Sequence, residues 1–257
     1  MHLSRNKPDI IIIAGCNSVG KSTTTNYLRT MATLYKIPHE SNIVADSQCL
    51  FEAMQSDDRA GGLHHTHDWC EKYVLGHAHN LDQPIFPFIV TDNELPDKMR
   101  LNYFTTLTNL PRADKLWFVE WAAGVNTHPP EDPISCVDYS YAIVKKMLVE
   151  GSLVDDWINR IKAIVHLEAD YPVRLALNKL RSIPSITESE ALKKDSAFWL
   201  KDERVLRFYG NDDFSEIEGM FRAASVPIYT IINDGKYGFY NNLESVADKL
   251  FLSEMAT

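Results

Sequence analysis

Five short apolar runs punctuate the chain: Ile10 to Ala14, Ile43 to Ala45, Leu116 to Val119, Ala163 to Leu167 and Pro227 to Ile232. Runs of this length, rich in β-branched and aromatic residues and ended by polar or glycine positions, predict buried strands. Between them lie stretches with helical spacing. These are Ser22 to about Thr33, Gln48 to Gln55, Asp97 to Leu110, Tyr139 to Glu150, a shorter one through Trp157, Pro172 to Arg181, Asp213 to Ala224 and Leu243 to Leu252. Gly151 stops one helix, and Pro172 suits the first turn of another. A parallel return between strands needs a crossover, and a helix supplies it while covering one face of the sheet. The expected fold is therefore α/β, a five-stranded parallel sheet with helices on both faces.

No repeat, low-complexity tract or linker divides residues 1–257, so the expectation is one domain. It would carry an insertion at about 47–115 and a lid at about 172–210. With 45% hydrophobic and 24% charged residues, the chain can bury one substantial core. The net charge of −9 disfavours wholesale nucleic-acid binding, which calls for a basic surface, but leaves a local basic groove open. Cys16, Cys49, Cys70 and Cys136 have no paired-motif spacing and suit reduced thiols. Met1 to Pro8 is polar, and no apolar run approaches the length of a membrane span, so a soluble, cytoplasmic protein is expected.

The first strand leads at once into Gly15-Cys16-Asn17-Ser18-Val19-Gly20-Lys21-Ser22-Thr23. The glycines of this G-x-x-x-x-G-K-S pattern permit backbone angles at which successive N–H groups turn inward around a phosphate. The helix that follows adds its positive end to the same anion site. Lys21 has the reach for β- and γ-phosphates, and the Ser22 hydroxyl is a Mg²⁺ ligand type. In a parallel sheet, ligands sit at the carboxyl ends of strands, where Asp46, Glu120, Asp170 and Asn233-Asp234-Gly235 follow the later strands. One carboxylate there can orient Mg²⁺ and another accept a proton from an attacking hydroxyl, and the spacing leaves open which does which.

With strand before and helix after, Gly15 to Ser22 resembles the P-loop NTPase superfamily. The order of elements is similar to its kinase branch, which contains the nucleoside and nucleoside-monophosphate kinases. The resemblance implies a phosphotransferase using ATP and Mg²⁺, with the nucleotide held by Gly15, Asn17, Ser18, Val19, Gly20, Lys21, Ser22 and Thr23. It implies that Glu120, in Trp117-Phe118-Val119-Glu120-Trp121, lies by the acceptor; Trp121 stands where deoxynucleoside kinases carry an arginine. Val165 to Asp170 followed by Arg174 and Arg181 resembles the strand leading to an arginine-bearing lid helix, whose cations neutralise the transferred phosphoryl group. Asn233 and Gly235 would line the adenine pocket. Candidate catalytic residues are thus Lys21, Glu120, Asp46, Arg174 and Arg181, with Ser22 on the metal.

Five of nine histidines cluster at His64, His65, His67, His77 and His79, around Asp68, Trp69 and Cys70. Their spacing matches no common zinc motif, and three readings stay open: acceptor recognition, a structural metal and a solvated surface. The nucleotide kinases place their acceptor-binding module between the second and third strands, which favours recognition by His64, His65, His67 and Trp69. Lys193, Lys194, Lys201, Arg204 and Arg207 alternate with acidic residues, the pattern of a solvated face. The expected acceptor is a small-molecule nucleoside, nucleotide or modified nucleobase. The alternatives are a hydroxymethylated base within DNA, as in the phage-type kinases of this superfamily, and a regulatory NTPase. A third is a P-loop enzyme that activates a carboxylate.

Overall fold

A parallel strand covered on both faces needs apolar residues at every position, and Ile10-Ile11-Ile12-Ile13-Ala14 supplies them without a break. In the computed structural model, which describes residues 8–55, 93–111, 114–150, 157–181, 206–236 and 238–255, this run forms β1 (Ile10–Gly15), buried throughout. There follow α1 (Lys21–Leu34), β2 (His39–Ala45), α2 (Asp46–Gln55), α3 (Glu94–Asn109), β3 (Leu116–Trp121) and α4 (Tyr141–Glu150). The remainder comprises β4 (Ile161–Glu168), α5 (Tyr171–Arg181), α6 (Ser215–Ala223), β5 (Ile228–Ile232) and α7 (Gly238–Met255), with short 3₁₀ turns at Pro133–Cys136 and Arg207–Tyr209.

The strands form one five-stranded sheet in the order β2-β3-β1-β4-β5, and every adjacent pair is parallel. Alternation along β1 divides the core. Ile10, Ile12 and Ala14 pack with Tyr103, Phe104 and Leu107 of α3, Val144 and Leu148 of α4, and Ile217 and Phe221 of α6. Ile11 and Ile13 pack with Leu28 and Ala32 of α1 and with Leu243, Ala247, Leu250 and Phe251 of α7. The α/β architecture with helices on both faces is therefore the one the apolar pattern predicts.

Strand order places the crevice. The connection leaving β1 runs outward to β2, whereas the one leaving β3 crosses over β1 to β4. Between the carboxyl ends of β1 and β3 the two connections part, and ligands of open α/β sheets bind at such a switch point. At the opposite end, Arg160 closes the sheet. Its Nε and Nη2 donate to the two carboxylate oxygens of Asp9 at 2.9 and 2.6 Å, its Nη1 donates to Leu110 O, and both residues are buried.

Several boundaries move for tertiary reasons. β2 is longer than Ile43 to Ala45, because pairing with β3 recruits the polar stretch from His39, opposite Leu116. α4 begins at Tyr141, since Tyr139 bridges Gly124. α3 begins at Glu94, ahead of Asp97, and α7 extends Leu243 to Leu252 in both directions. The segment from His64 to His79, most of the charged run before Arg207, and the stretch leading to Trp157 lie outside the described residues.

Candidate active site

The loop after β1 takes a conformation only its glycines tolerate freely. Gly15 has φ 147° and Gly20 φ 104°, and a Cβ on Gly15 would lie 2.5 Å from Leu167 O. Ser18 also sits in the left-handed region, at φ 61°. A serine there carries strain of order 1–3 kcal/mol, which persists only where the surroundings impose it. The first turn of α1 has no acidic residue and no side-chain cap at Gly20, so no carboxylate of its own competes for an incoming anion. Lys21 is buried, and its Nζ donates to Gly15 O at 3.0 Å and Cys16 O at 2.8 Å. Thr23 lies on the exposed side of the same turn.

Three consecutive loop residues are held from outside. Arg174 Nε donates to Asn17 O at 3.0 Å. The Ser18 hydroxyl donates to Asn178 Oδ1 at 3.4 Å. Asn233 Nδ2 donates to Val19 O at 2.8 Å, while Asn233 Oδ1 accepts the Gly235 N–H. Arg174 and Asn178 stand one turn apart on α5, so one helical face serves two of these contacts. Arg174 is 1% exposed, and its remaining arms donate to Gly210 O at 3.1 Å and Leu206 O at 3.2 Å. Arg181 ends α5, but its side chain lies outside the described residues.

The two candidate carboxylates stand at the carboxyl ends of neighbouring strands and have different partners. Glu120, half-buried on β3, accepts the Ser22 hydroxyl at 3.2 Å. Asp46, the first residue of α2, is 7% exposed and accepts the backbone N–H of Ala122. It borders a small cavity of about 10 Å³ with Arg100, Tyr103, Trp121 and Tyr139. Burial, and secondarily Asp46, push the Tyr103 phenol well above its usual range, so it is a neutral donor, here to Glu120 O at 3.2 Å.

Sequence reasoning missed a further cluster. Asp212 Oδ2 accepts from His166 Nε2 at 3.0 Å and lies 3.9 Å from Cys16 Sγ. The His166 ring stacks on Phe214 at 4.1 Å, and its Nδ1 lies 3.5 Å from Glu168. Burial is the main reason that the Cys16 thiol is pushed up to about 12, so it is protonated and inert at neutral pH. Asp213 accepts the N–H groups of Tyr141 and Ala142, capping α4 from a distant part of the chain. The Asn211-Asp212-Asp213 run is visible in the sequence only as a helix start. Asn178 carried no signal at all.

Among the described residues, no group of three or more histidine, cysteine or acidic side chains is arranged to hold a metal ion. No helix among them is long and apolar enough to cross a membrane.

No family model and no curated protein matches this sequence. Solved structures similar to it include a candidate kinase from Chloroflexus aurantiacus, with 10% identity, coverage of 98% of this chain and 99% of that one, and a TM-score of 0.45. TT1252 from Thermus thermophilus is 17% identical, over 96% of this chain and 98% of its own, with a TM-score of 0.40. A shikimate kinase from Acinetobacter baumannii, solved with shikimate, is 14% identical, over 97% and 96%, with a TM-score of 0.41. At such identities and TM-scores, no activity or substrate is carried from those proteins to this chain.

Proposed function

We propose that this chain is an ATP- and Mg²⁺-dependent phosphotransferase acting on a hydroxyl or phosphate of a small nucleoside, nucleotide or modified nucleobase. The observation that carries the reading is the Ser22–Glu120 hydrogen bond beside Lys21 at the sheet's switch point. It brings a hydroxyl, a carboxylate and a phosphate-reaching cation together where α/β sheets bind ligands.

The residues fit the groups they would hold. A Cβ at Gly15 would strike Leu167 O, so glycine alone lets the loop leave β1 this close to β4, and the left-handed angles at Ser18 and Gly20 suit a loop that turns its N–H groups toward a polyphosphate. Ser22 and Glu120 are hard oxygen donors, the kind Mg²⁺ takes directly or through water. Mg²⁺ held by these residues would supply neutralisation of phosphate charge.

The rest belongs to the chain. Lys21 exchanges the carbonyls of Gly15 and Cys16 for phosphate oxygens, so its ammonium is already inside the loop that needs it. With Glu120 engaged by Ser22, the division of labour favours Asp46 on the acceptor side. Asp46, oriented by the Ala122 N–H, holds the acceptor hydroxyl and takes its proton as the phosphoryl group arrives in line. The His64, His65, His67 and Trp69 segment is assigned to acceptor recognition by its position in the sequence between β2 and β3. Arg181 remains the candidate cation of the lid helix, since Arg174 is taken up by the carbonyls of Asn17, Leu206 and Gly210. Asn233 with Gly235 remains the candidate lining of the adenine site.

The test is a transfer screen with purified protein, labelled ATP and Mg²⁺. Nucleosides, nucleoside monophosphates, other small alcohols and unmodified or base-hydroxylated DNA are offered in parallel. Label on one small molecule is the expected result. Label only on DNA would replace the acceptor class, and rapid release to water with no acceptor labelled would overturn the phosphotransferase reading in favour of a regulatory NTPase.

A further inference from the structure

Arg174 is placed unusually for a cation on a lid helix. Its guanidinium is buried and directs three donors at three backbone carbonyls: Asn17 in the P-loop, and Leu206 and Gly210 in the strip that precedes α6. The planar fork is rigid, so the three carbonyls are fixed relative to one another. To reach a phosphoryl group, Arg174 would have to abandon the half-buried carbonyl of Asn17 and the buried ones of Leu206 and Gly210, and leaving a buried acceptor unmatched is costly.

The strip itself is firmly seated. Val125 and Asn211 exchange backbone hydrogen bonds at 2.7 and 3.3 Å, and Thr127 N donates to Arg207 O at 2.7 Å. Gly210 approaches Thr127 so closely that a Cβ would lie 1.9 Å from its hydroxyl. A second tie to the phosphate loop follows two residues on, where Asp212 accepts from the Cys16 thiol. Adjacent P-loop residues, Cys16 and Asn17, are thus both bound to one short strip, by independent side chains.

We propose that Arg174 is a positioning residue that couples nucleotide binding at the P-loop to the order of residues 206–211, rather than a cation that contacts the transferred phosphoryl group. This rests on the P-loop being a nucleotide site. Its basis is the shared guanidinium. Phosphates that fix the Asn17–Ser18 peptide also fix the Asn17 carbonyl, and through the fork the carbonyls of Leu206 and Gly210. Coupling is reciprocal, so a strip held in place favours the loop shape that binds phosphate. Because the strip leads through Asp212 into α6, the coupling ties nucleotide occupancy to the segment that pairs with Val125 and Thr127 after β3.

The experiment measures Mg-ATP affinity by calorimetry, and amide hydrogen exchange with and without Mg-ATP, on the full chain. In the wild type, Mg-ATP is expected to slow exchange at P-loop amides and, in parallel, at Val125, Thr127, Gly210 and Asn211. Arg174→Lys keeps the charge but cannot span three carbonyls. It is expected to weaken Mg-ATP binding at least about tenfold and to remove the added protection at 206–211, with turnover at saturating ATP changed less than affinity. Protection confined to the P-loop in the wild type would overturn the coupling without any variant. Unchanged affinity with depressed saturated turnover in Arg174→Lys would overturn it in favour of direct contact with the phosphoryl group. A wild type that does not bind Mg-ATP would overturn both this coupling and the phosphotransferase reading, whereas binding without coupling would leave that reading standing.

Discussion

Ser22 and Glu120, 98 positions apart in sequence, meet across the crevice between β1 and β3 through a hydroxyl-to-carboxylate hydrogen bond of 3.2 Å. The contact follows from topology. β1 and β3 are neighbours with Ile13 opposite Glu120, so the residue ending one apolar run lies beside the helix that begins just after the other. The pair occupies Glu120 with the hydroxyl of Ser22, whereas Asp46 accepts the backbone N–H of Ala122.

Glu120→Gln retains a hydrogen-bonding side chain but loses the charge. The expected outcome is an increase of about 10- to 100-fold in the Mg²⁺ concentration for half-maximal transfer, the usual penalty for losing a group that orients a metal's ligand. A Mg²⁺ titration at fixed ATP measures it. An unaltered titration midpoint with turnover reduced by orders of magnitude would move the proton-accepting role from Asp46 to Glu120.

Lys21→Ala removes the ammonium that the loop carbonyls hold in place. Phosphoryl transfer is expected to fall by about 10²- to 10³-fold or more, the scale of losing one preorganised charge donor. Circular dichroism is expected to keep the wild-type spectrum, because β1 and α1 are anchored by Ile11, Ile13, Leu28 and Ala32 rather than by Lys21. Full activity in this variant would end the P-loop reading.

Thiol reactivity gives a test independent of any substrate. Cys16 and Cys49 are buried, and desolvation pushes both thiols up to about 12, whereas Cys136 is exposed. The thiolate is the reactive form, so at pH 8 each buried site holds roughly a thousandth of the thiolate of an ordinary cysteine. In native protein, alkylation followed by peptide mass spectrometry is expected to label Cys136 and to spare Cys16 and Cys49. Raising the pH to 9 leaves that order unchanged, since both buried groups still lie well below their titration. Rapid native labelling of Cys16 would mean that the loop opens far more often than its ties suggest.

Arg160→Ala strips the buried Asp9 carboxylate of its partner at the closed end of the sheet. Removing one member of such a pair costs about 3–5 kcal/mol. Urea denaturation followed by tryptophan fluorescence is expected to show a loss of that size, read as the midpoint shift multiplied by the slope, with little change in the slope itself. A loss below about 1 kcal/mol, the range of exposed pairs, would show that the pair is solvated.

Much of the candidate site was legible because it is local. The glycines, Lys21 and Ser22 lie within eight consecutive positions, and the backbone angles the loop needs are ones that glycine alone adopts without strain. Glu120 was legible for a related reason, as the polar residue near the end of an apolar run. Asn178, His166 and Asp212 were not, because their roles arise only when α5, β4 and the strip before α6 converge on the loop. Asp213 shows the limit most directly. In the sequence it is only the start of the helical stretch from Asp213 to Ala224, yet its carboxylate caps α4, some 70 positions upstream.

The chain's own pattern of apolar runs and helical spacings determined that this is an α/β protein with a G-x-x-x-x-G-K-S loop after its first strand. Period and turn chemistry are properties of neighbouring residues, and they survive without any knowledge of the fold. Only the tertiary structure decided the strand order β2-β3-β1-β4-β5 and which carboxylate faces Ser22. It alone bound Arg174 to three carbonyls rather than leaving it free in solvent. Those outcomes depend on which distant surfaces bury each other best, a competition over the whole chain that no local stretch records.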